Sequence, residues 1–263
     1  VDTICASLTG IVGLGAIAAL YYATRLVQLP MGIFGVSLAT AVLPVLSSHA
    51  AAGNREEFKK TVVFALENIF FIMLPVTVFL FLMAEPLIRV MFERGEFDRY
   101  STIVTASVLS FSSLGLMGYG GARMLTTAFH ALKDTRTPVK VAVLSLTLCA
   151  LLDVVLMFPM KVSGIALAGA VSSTVSFAVL CVLLGRRLGG FGGDLRKFFL
   201  RILFAGLGEG VLIGLTGHFF AGVPEIVRLG LTFAAGAVAY VAAALVLGVP
   251  QAVKIKEIVR GKR

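Results

Sequence analysis

Long apolar runs with almost no charge dominate this sequence. From Thr3 to Asn54 the only Asp, Glu, Lys or Arg residue is Arg25. A helix needs about 20 apolar residues to cross a hydrocarbon core of about 30 Å. Charged residues make up only 14% of the chain, whereas water-soluble domains carry about 25%. We therefore predict an all-α integral membrane protein, a polytopic helix bundle.

The apolar runs set the predicted helices. Glycines at 10, 13 and 15 interrupt the first run, so residues 1–9 are predicted to be the end of a helix whose beginning is missing. The next helix is predicted from Ala16 to about Ser48, with a bend at its Pro and Gly residues near position 30. The remaining predicted spans are Thr61–Ala84, Tyr100–Ala122, Val141–Met160, Val162–Gly185, Ile202–Pro224 and Leu229–Val253. Residues 1–187 are predicted to form one bundle, and residues 188–263 to add two further helices with a basic tail.

Lysine and arginine are concentrated in alternate connections between these spans. Cytoplasmic loops of membrane proteins carry an excess of these residues, so the basic side is predicted to be cytoplasmic, with the C-terminus on it. The same distribution explains the net charge of +9 without binding to nucleic acid. The basic connections contain Arg55, Lys59, Lys60, Lys133, Arg136, Lys140, Arg186, Arg187, Arg196, Lys197, Arg201 and the tail Lys254–Arg263.

Two arginines are predicted to lie deep in the membrane. At 1.5 Å rise per residue, Arg25 lies about 14 Å below the start of its helix at Ala16. Arg123 lies about 15 Å from the basic connection that begins near Lys133. A charge at such depth normally faces a partner, a cavity or an anionic ligand. We predict that both arginines line an anion-binding cavity, although Arg123 has the alternative of extending toward the headgroups on the basic side.

Four acidic residues fall within or beside apolar runs. Asp2 and Asp153 are predicted at similar depths, about 10 Å from the side opposite the basic loops. Together they offer oxygen ligands for a sodium ion or a proton, or each pairs with a polar group of a neighbouring helix or with an arginine. Glu67 and Glu209 lie one to two turns from basic connections, and we predict that they form ion pairs there.

Several strings are similar to the MurJ/MviN family of lipid II flippases, in the MOP exporter superfamily. The resemblance covers essentially the whole chain and implies the C-terminal half of a fourteen-helix protein, from the end of helix seven. It is carried by Leu20-Tyr-Tyr-Ala-Thr-Arg-Leu26, Gln28-Leu-Pro-Met-Gly-Ile-Phe-Gly35, Ala39-Thr-Ala-Val-Leu-Pro44 and Phe129-His-Ala-Leu-Lys-Asp-Thr-Arg-Thr-Pro-Val-Lys140.

The resemblance implies transport of an undecaprenyl-pyrophosphate-linked peptidoglycan precursor to the outer leaflet of the bacterial inner membrane, without chemistry. Arg25 matches an arginine of the family's pyrophosphate cavity, and Arg123 stands where a lysine is usual. The last two helices are similar to the pair that forms a groove for the lipid tail. Asp2 and Asp153 match acidic positions of the family's sodium site, but Cys149 replaces a common Asn and Gly169 a common Thr. Those replacements put sodium coupling in question.

Other functions remain open to the sequence. A related exporter would carry another polyprenyl-linked glycan or a drug on the same fold. A polyprenyl-phosphate transferase would need clustered acids, histidines or metal ligands at one membrane face, and the sequence shows no such cluster. The three cysteines are isolated in apolar runs, so no disulfide or firm metal site is predicted, and no cofactor beyond a possible coupling ion.

Overall fold

The computed structural model describes residues 2–13, 15–219 and 224–259, and within these ranges it is helical without strands. The last four residues of the predicted basic tail, including Arg260, Lys262 and Arg263, lie outside them. The elements are α1 (Asp2–Ala6), α2 (Thr9–Val12), α3 (Ala16–Pro30), a π-helix (Met31–Val36), α4 (Ser37–Ala51), α5 (Arg55–Leu82), α6 (Ala84–Phe92), α7 (Arg99–Ser113), α8 (Leu116–Ala131), α9 (Arg136–Met160), α10 (Val162–Leu188), α11 (Gly192–Phe219), α12 (Glu225–Val246) and α13 (Pro250–Val259).

Six helices of the described chain are long and apolar enough to cross a membrane. The helices α7 and α8 form a seventh candidate span, bent by 43° where they meet. This count confirms the predicted spans, although the helices extend past the apolar runs. For example, α5 begins at Arg55 rather than Thr61, because its first turn carries the charged residues of the basic connection.

The first full span runs from Ala16 to Ala51. Its predicted irregularity near position 30 is present as the π-helical segment between α3 and α4. Pro30 has no backbone N–H to donate to the preceding turn, and Gly32 and Gly35 have low helix propensity. These residues explain why the hydrogen-bond register changes there.

The bend between α7 and α8 was not predicted. Ser113 turns its hydroxyl back to the carbonyl of Ser110 at 2.7 Å, a contact that bends helices. Beyond the bend, α8 packs closely on α10, because Gly118 leaves no side chain between them. A Cβ at Gly118 would lie 2.7 Å from the backbone nitrogen of Thr174.

The helix ends form two charged sides. On the basic side, Asn54 caps α5 by accepting from the Glu57 N–H at 3.2 Å, and Arg187 of α10 binds Asp134 before α9 at 2.6 Å. On the opposite, mixed-charge side, Arg89 of the short helix α6 binds Glu225 of α12 at 2.9 Å. The connection between α5 and α7 therefore contains a short helix, and its charges form ion pairs.

The helices α11 and α12 pack on each other and on α5. The apolar run predicted α11 from Ile202, but the helix begins at Gly192, because the basic residues before Ile202 belong to the helix itself. Glu209 is consequently near mid-helix and only 2% exposed. No cation of the described chain pairs with it, so the prediction of an ion pair near the basic side is wrong for Glu209. Glu67 accepts a hydrogen bond from Gln251 Nε2 of α13 at 3.0 Å.

Candidate functional site

Arg25 lines a cavity of about 420 Å³ between α1 and α3. On α3, Tyr21, Thr24, Arg25 and Gln28 follow a helical spacing that puts them on one face. The opposite face, which includes Ala19 and Ala23, is buried in the bundle. The apolar face of α3 thus packs into the bundle, and its polar face lines the cavity.

The guanidinium of Arg25 has no carboxylate partner among the described residues. Its Nη2 lies 3.5 Å from the Tyr21 hydroxyl, and its Cζ lies 5.0 Å from the centre of the Tyr21 ring. Tyr21 precedes Arg25 by one turn, so a cation–π contact orients the group without neutralising it. Thr24, next to Arg25, offers no negative charge. The positive charge remains available to an anionic ligand.

Arg123 lines a second cavity, of about 560 Å³, between α8, α9 and α10. The side chain is exposed, and no ion pair to it is formed within the described ranges. Asp2 borders both this cavity and the cavity of Arg25. The two deep arginines therefore face neighbouring cavities that share one wall.

Asp2, Cys149 and Asp153 form a cluster whose ligand atoms all lie within 4.8 Å of one another. Cys149 and Asp153 are one turn apart on α9, and α1 brings Asp2 to the same face. Cys149 Sγ lies 3.9 Å from Asp2 Oδ1. Asp153 is fully buried, and neither of its oxygens has a hydrogen-bond partner in the described chain. Two carboxylates this close repel each other unless a proton or a cation lies between them.

Gly169 also borders the Arg123 cavity. A Cβ at this position would lie 3.1 Å from the Tyr119 hydroxyl, so Tyr119 occupies the space that a side chain at position 169 would need. The structure thus brings Gly169, Cys149 and Asp2 to one cavity and leaves Gly169 without a ligand atom of its own.

Sequence reasoning missed the polar residues that surround these charges. Tyr21 was not singled out, although its spacing of four residues from Arg25 could have identified the contact. The wall of the Arg123 cavity also carries a group of serines, and their sequence signal is a polar run within an otherwise apolar helix. They are Ser145, Ser172, Ser173 and Ser176. The hydroxyls of Ser172 and Ser173 donate to backbone carbonyls.

A third cavity, of about 410 Å³, is apolar and lies between α5 and α11. Gly206 and Gly210 form part of its wall on α11, opposite Leu74 and Leu82 on α5. A Cβ at Gly206 would lie 3.0 Å from Leu74, whereas one at Gly208 would meet nothing within 4 Å. The recurring glycines of α11 therefore serve close packing at one position and leave an open surface at another.

Comparison with known proteins gives a consistent result. The family model for the lipid II flippase MurJ matches residues 1–233. The probable lipid II flippase MurJ of Buchnera aphidicola (subsp. Acyrthosiphon pisum) is 36% identical over 166 residues, which cover 63% of this chain and 32% of the relative. The corresponding protein of Bdellovibrio bacteriovorus is 30% identical over 250 residues, which cover 92% of this chain and 47% of the relative. The chain thus spans about a third to a half of the length of these relatives.

Solved structures give the same fold. A lipid II flippase MurJ in an inward closed conformation matches with a TM-score of 0.76 at 26% identity, over 93% of this chain and 50% of that one. A MOP superfamily transporter from Pyrococcus furiosus matches with a TM-score of 0.60 at 16% identity. The second likeness shows a shared fold alone. The described helices therefore share the fold of about half of that solved lipid II flippase MurJ.

Proposed function

Because this chain belongs to the MurJ family of lipid II flippases, a family of bacterial inner-membrane transporters, we propose that it is the C-terminal half of a lipid II flippase. The cargo, undecaprenyl-pyrophosphate-linked disaccharide pentapeptide, would cross from the inner to the outer leaflet. Transport would follow alternating access, in which two helix bundles open the cavity to one side at a time. The partner bundle would be an N-terminal lobe of the same protein. No covalent bond changes, so the activity is transport and not catalysis.

The observation that carries this proposal is that the Arg25 guanidinium lines a cavity and has no carboxylate partner among the described residues. A pyrophosphate cannot enter a region of low dielectric without compensation of its charge. A guanidinium supplies a fixed charge and a bidentate donor pair that matches phosphate oxygens. Arg25 would therefore bind the pyrophosphate as it crosses, and Arg123 in the neighbouring cavity would share the charge.

Complementation of a flippase-depleted strain with full-length variants tests this function. Arg25→Ala is expected to abolish growth rescue while the protein remains in the membrane at normal amounts, because Arg25 faces a cavity and supports no packing. Arg25→Lys is expected to rescue partially, since charge survives but bidentate geometry is lost. The matched control is Arg186→Ala, which removes an exposed arginine at the end of α10. Full rescue by Arg25→Ala would contradict the proposal.

The apolar cavity between α5 and α11 supports the proposal that the lipid tail of the cargo binds there. We propose that residues 1–187 form the lobe that handles the headgroup and that residues 188–263 form the two added helices that guide the chain. The cavity is lined almost entirely by aliphatic and aromatic side chains and glycine, which suits a polyprenyl chain. The positive-inside rule supports a cytoplasmic basic side, and with it a cytoplasmic C-terminus.

A second proposal concerns coupling, and it is favoured by the cluster of Asp2, Cys149 and Asp153. Sodium prefers oxygen ligands, and the cluster offers two carboxylates with no cation partner in the described chain. The common Asn and Thr ligands of the family are replaced by Cys149 and by Gly169. The site would therefore hold sodium weakly, or would hold a proton instead.

Thermal unfolding of the purified full-length protein distinguishes these ions. Replacing potassium in the buffer with sodium, at constant ionic strength, is expected to stabilise the wild type by about 1.4 kcal/mol when the sodium concentration is tenfold above its dissociation constant. Asp153→Asn should remove this effect, while Glu96→Gln, at an exposed acid, should retain it. A pH response that Asp153→Asn removes, together with no response to sodium, would identify the proton as the ligand of this cluster. No response to either would contradict coupling at this cluster.

A related exporter with another cargo is the main rival. The fold is similar to that of a MOP superfamily transporter from Pyrococcus furiosus, so fold alone does not select lipid II. Competition between lipid II and the carrier lipid of another polyprenyl-linked glycan for the purified full-length protein separates the two cargoes. Preference for lipid II supports the proposal, and preference for the other lipid supports the rival.

A further inference from the structure

A second buried acid lies far from the arginine cavities, where α11 and α12 pack on α5. Glu209 is about ten residues from the end of α11, or about 15 Å along the helix, and it is 2% exposed. Its Oε2 has no hydrogen-bond partner in the described chain. The buried residues Ala205 and Ile213 lie one turn away on either side, so Glu209 faces the interior of the bundle.

Tyr240 of α12 faces the same junction. It is 1% exposed, its hydroxyl has no hydrogen-bond partner among the described residues, and its ring lies 5.3 Å from that of Phe71 on α5. Gly236, one turn before Tyr240, leaves room for the carboxyl group. A Cβ there would lie 3.5 Å from Glu209 Oε1 and 3.1 Å from Ile213. The crossing of α11 and α12 is thus built around an acid and a phenol.

The charged groups on neighbouring elements are engaged elsewhere. On the mixed-charge side, Arg89 of α6 and Arg228 of α12 both contact Glu225. On the basic side, Arg201 of α11 donates to the Gly248 carbonyl at 3.1 Å. Among the described charged groups of α5 and α13, Glu67 accepts from Gln251 and Lys254 lies over the Phe64 ring.

An ionised carboxylate buried without a cation is strongly disfavoured, whereas a neutral carboxylic acid carries no charge to desolvate. One carboxyl and one phenol supply too few oxygens for a metal ion. We propose that Glu209 is a proton-binding site of the α11–α12 pair. It holds a proton while the pair is packed on α5, and it releases that proton when the helices separate and water reaches the carboxyl group. This inference does not depend on the cargo or on Arg25.

The pH dependence of thermal unfolding tests the proposal with the purified full-length protein. Glu209→Gln copies the neutral acid in shape and cannot ionise. Because the packed state retains a proton that the unfolded chain loses, the wild type should lose stability as pH rises. Between about pH 5 and about pH 9, the unfolding midpoint of the wild type should fall by roughly 2–4 °C relative to Glu209→Gln.

The matched control is Glu56→Gln, an acid-to-amide change at an exposed position of α5. It should follow the wild-type profile at every pH. Parallel profiles for the wild type and Glu209→Gln would overturn the proposal. So would a wild-type midpoint that rises with pH relative to Glu209→Gln, because that result means a carboxylate stabilised in its ionised form.

A second measurement needs no variant. A lipid-soluble carbodiimide reacts with protonated carboxyl groups in apolar surroundings, and mass spectrometry of the wild-type protein reports modification at each position. The peptide that contains Glu209 should be modified at neutral pH and less so at alkaline pH, whereas the peptide with Glu56 should remain unmodified. Absence of modification at Glu209, or modification independent of pH, would contradict a proton-binding role.

Discussion

Charges at the ends of the helices and charges in their middles have different surroundings. At the ends, Arg187 binds Asp134 at 2.6 Å and Arg89 binds Glu225 at 2.9 Å. In the middles, Arg25 and Asp153 have no oppositely charged partner in the part of the chain that the structure describes. Asp153 is fully buried, where a charge without a partner is costly, and Arg25 faces a cavity. The charges at the helix ends thus stabilise the fold. The charges in the middle of the helices are placed to bind a transient ligand, either the cargo or a coupling ion.

The largest expected effect that separates these classes is loss of transport without loss of stability. Arg123→Ala in the full-length protein should lower flipping at least about tenfold, since loss of one partner from a desolvated charge pair costs about 2–5 kcal/mol. Arg123→Lys should retain most activity, because charge is preserved. The measurement is the appearance of lipid II on the outer leaflet of cells that depend on the variant.

The unfolding midpoint of Arg123→Ala provides the control, and it should match that of the wild type. Unchanged flipping by Arg123→Ala would show that Arg123 belongs to the same class as the charges at the helix ends. It would then extend toward the headgroups on the basic side rather than bind cargo.

A smaller effect, on stability and not on transport, is expected at Asp134. Hydrogen bonds from the Thr137 hydroxyl and backbone N–H, and then the Arg187 guanidinium, hold the pKa of Asp134 below its ordinary value of 3.8. The lowered folded-state pKa means that its stabilisation is complete at neutral pH and is lost as acid protonates the carboxyl. Asp134→Asn should therefore unfold at a lower temperature than the wild type at neutral pH.

That difference should shrink as pH falls below about 4, where the unfolded carboxyl also takes up its proton. Flipping at neutral pH should remain near the wild-type level. A midpoint difference that is constant with pH would show that the Asp134 contacts do not depend on its charge, and the contrast between end and middle charges would weaken.

Much of the fold follows from the sequence, because hydrophobic length sets the spans directly. The run that begins at Ala16 predicted a single long helix with an irregularity near Pro30, and the structure contains both. The depths of Asp2 and Asp153 were predicted to match, and the structure places them in one cluster. Depth can be counted along a helix, so such matches are accessible from sequence.

The sequence does not specify how each helix is rotated about its own axis, nor the residue at which each helix begins. Glu209 was assigned to the basic side because its distance was counted from Arg201, but the helix begins at Gly192 and turns Glu209 toward Gly236 of α12. The contact of Gly169 with Tyr119 likewise depends on how α8 and α10 meet. Which side chains of two helices meet depends on how the helices pack, and the sequence of a single apolar run does not determine that packing.

The central claim is that the Arg25 guanidinium binds the pyrophosphate of the cargo. Equilibrium binding of lipid II to the purified full-length protein tests it directly, with Arg25→Ala compared with the Arg186→Ala control. The account predicts that Arg25→Ala weakens lipid II binding at least about tenfold, while Arg186→Ala binds like the wild type. Equal affinity for all three proteins would contradict it.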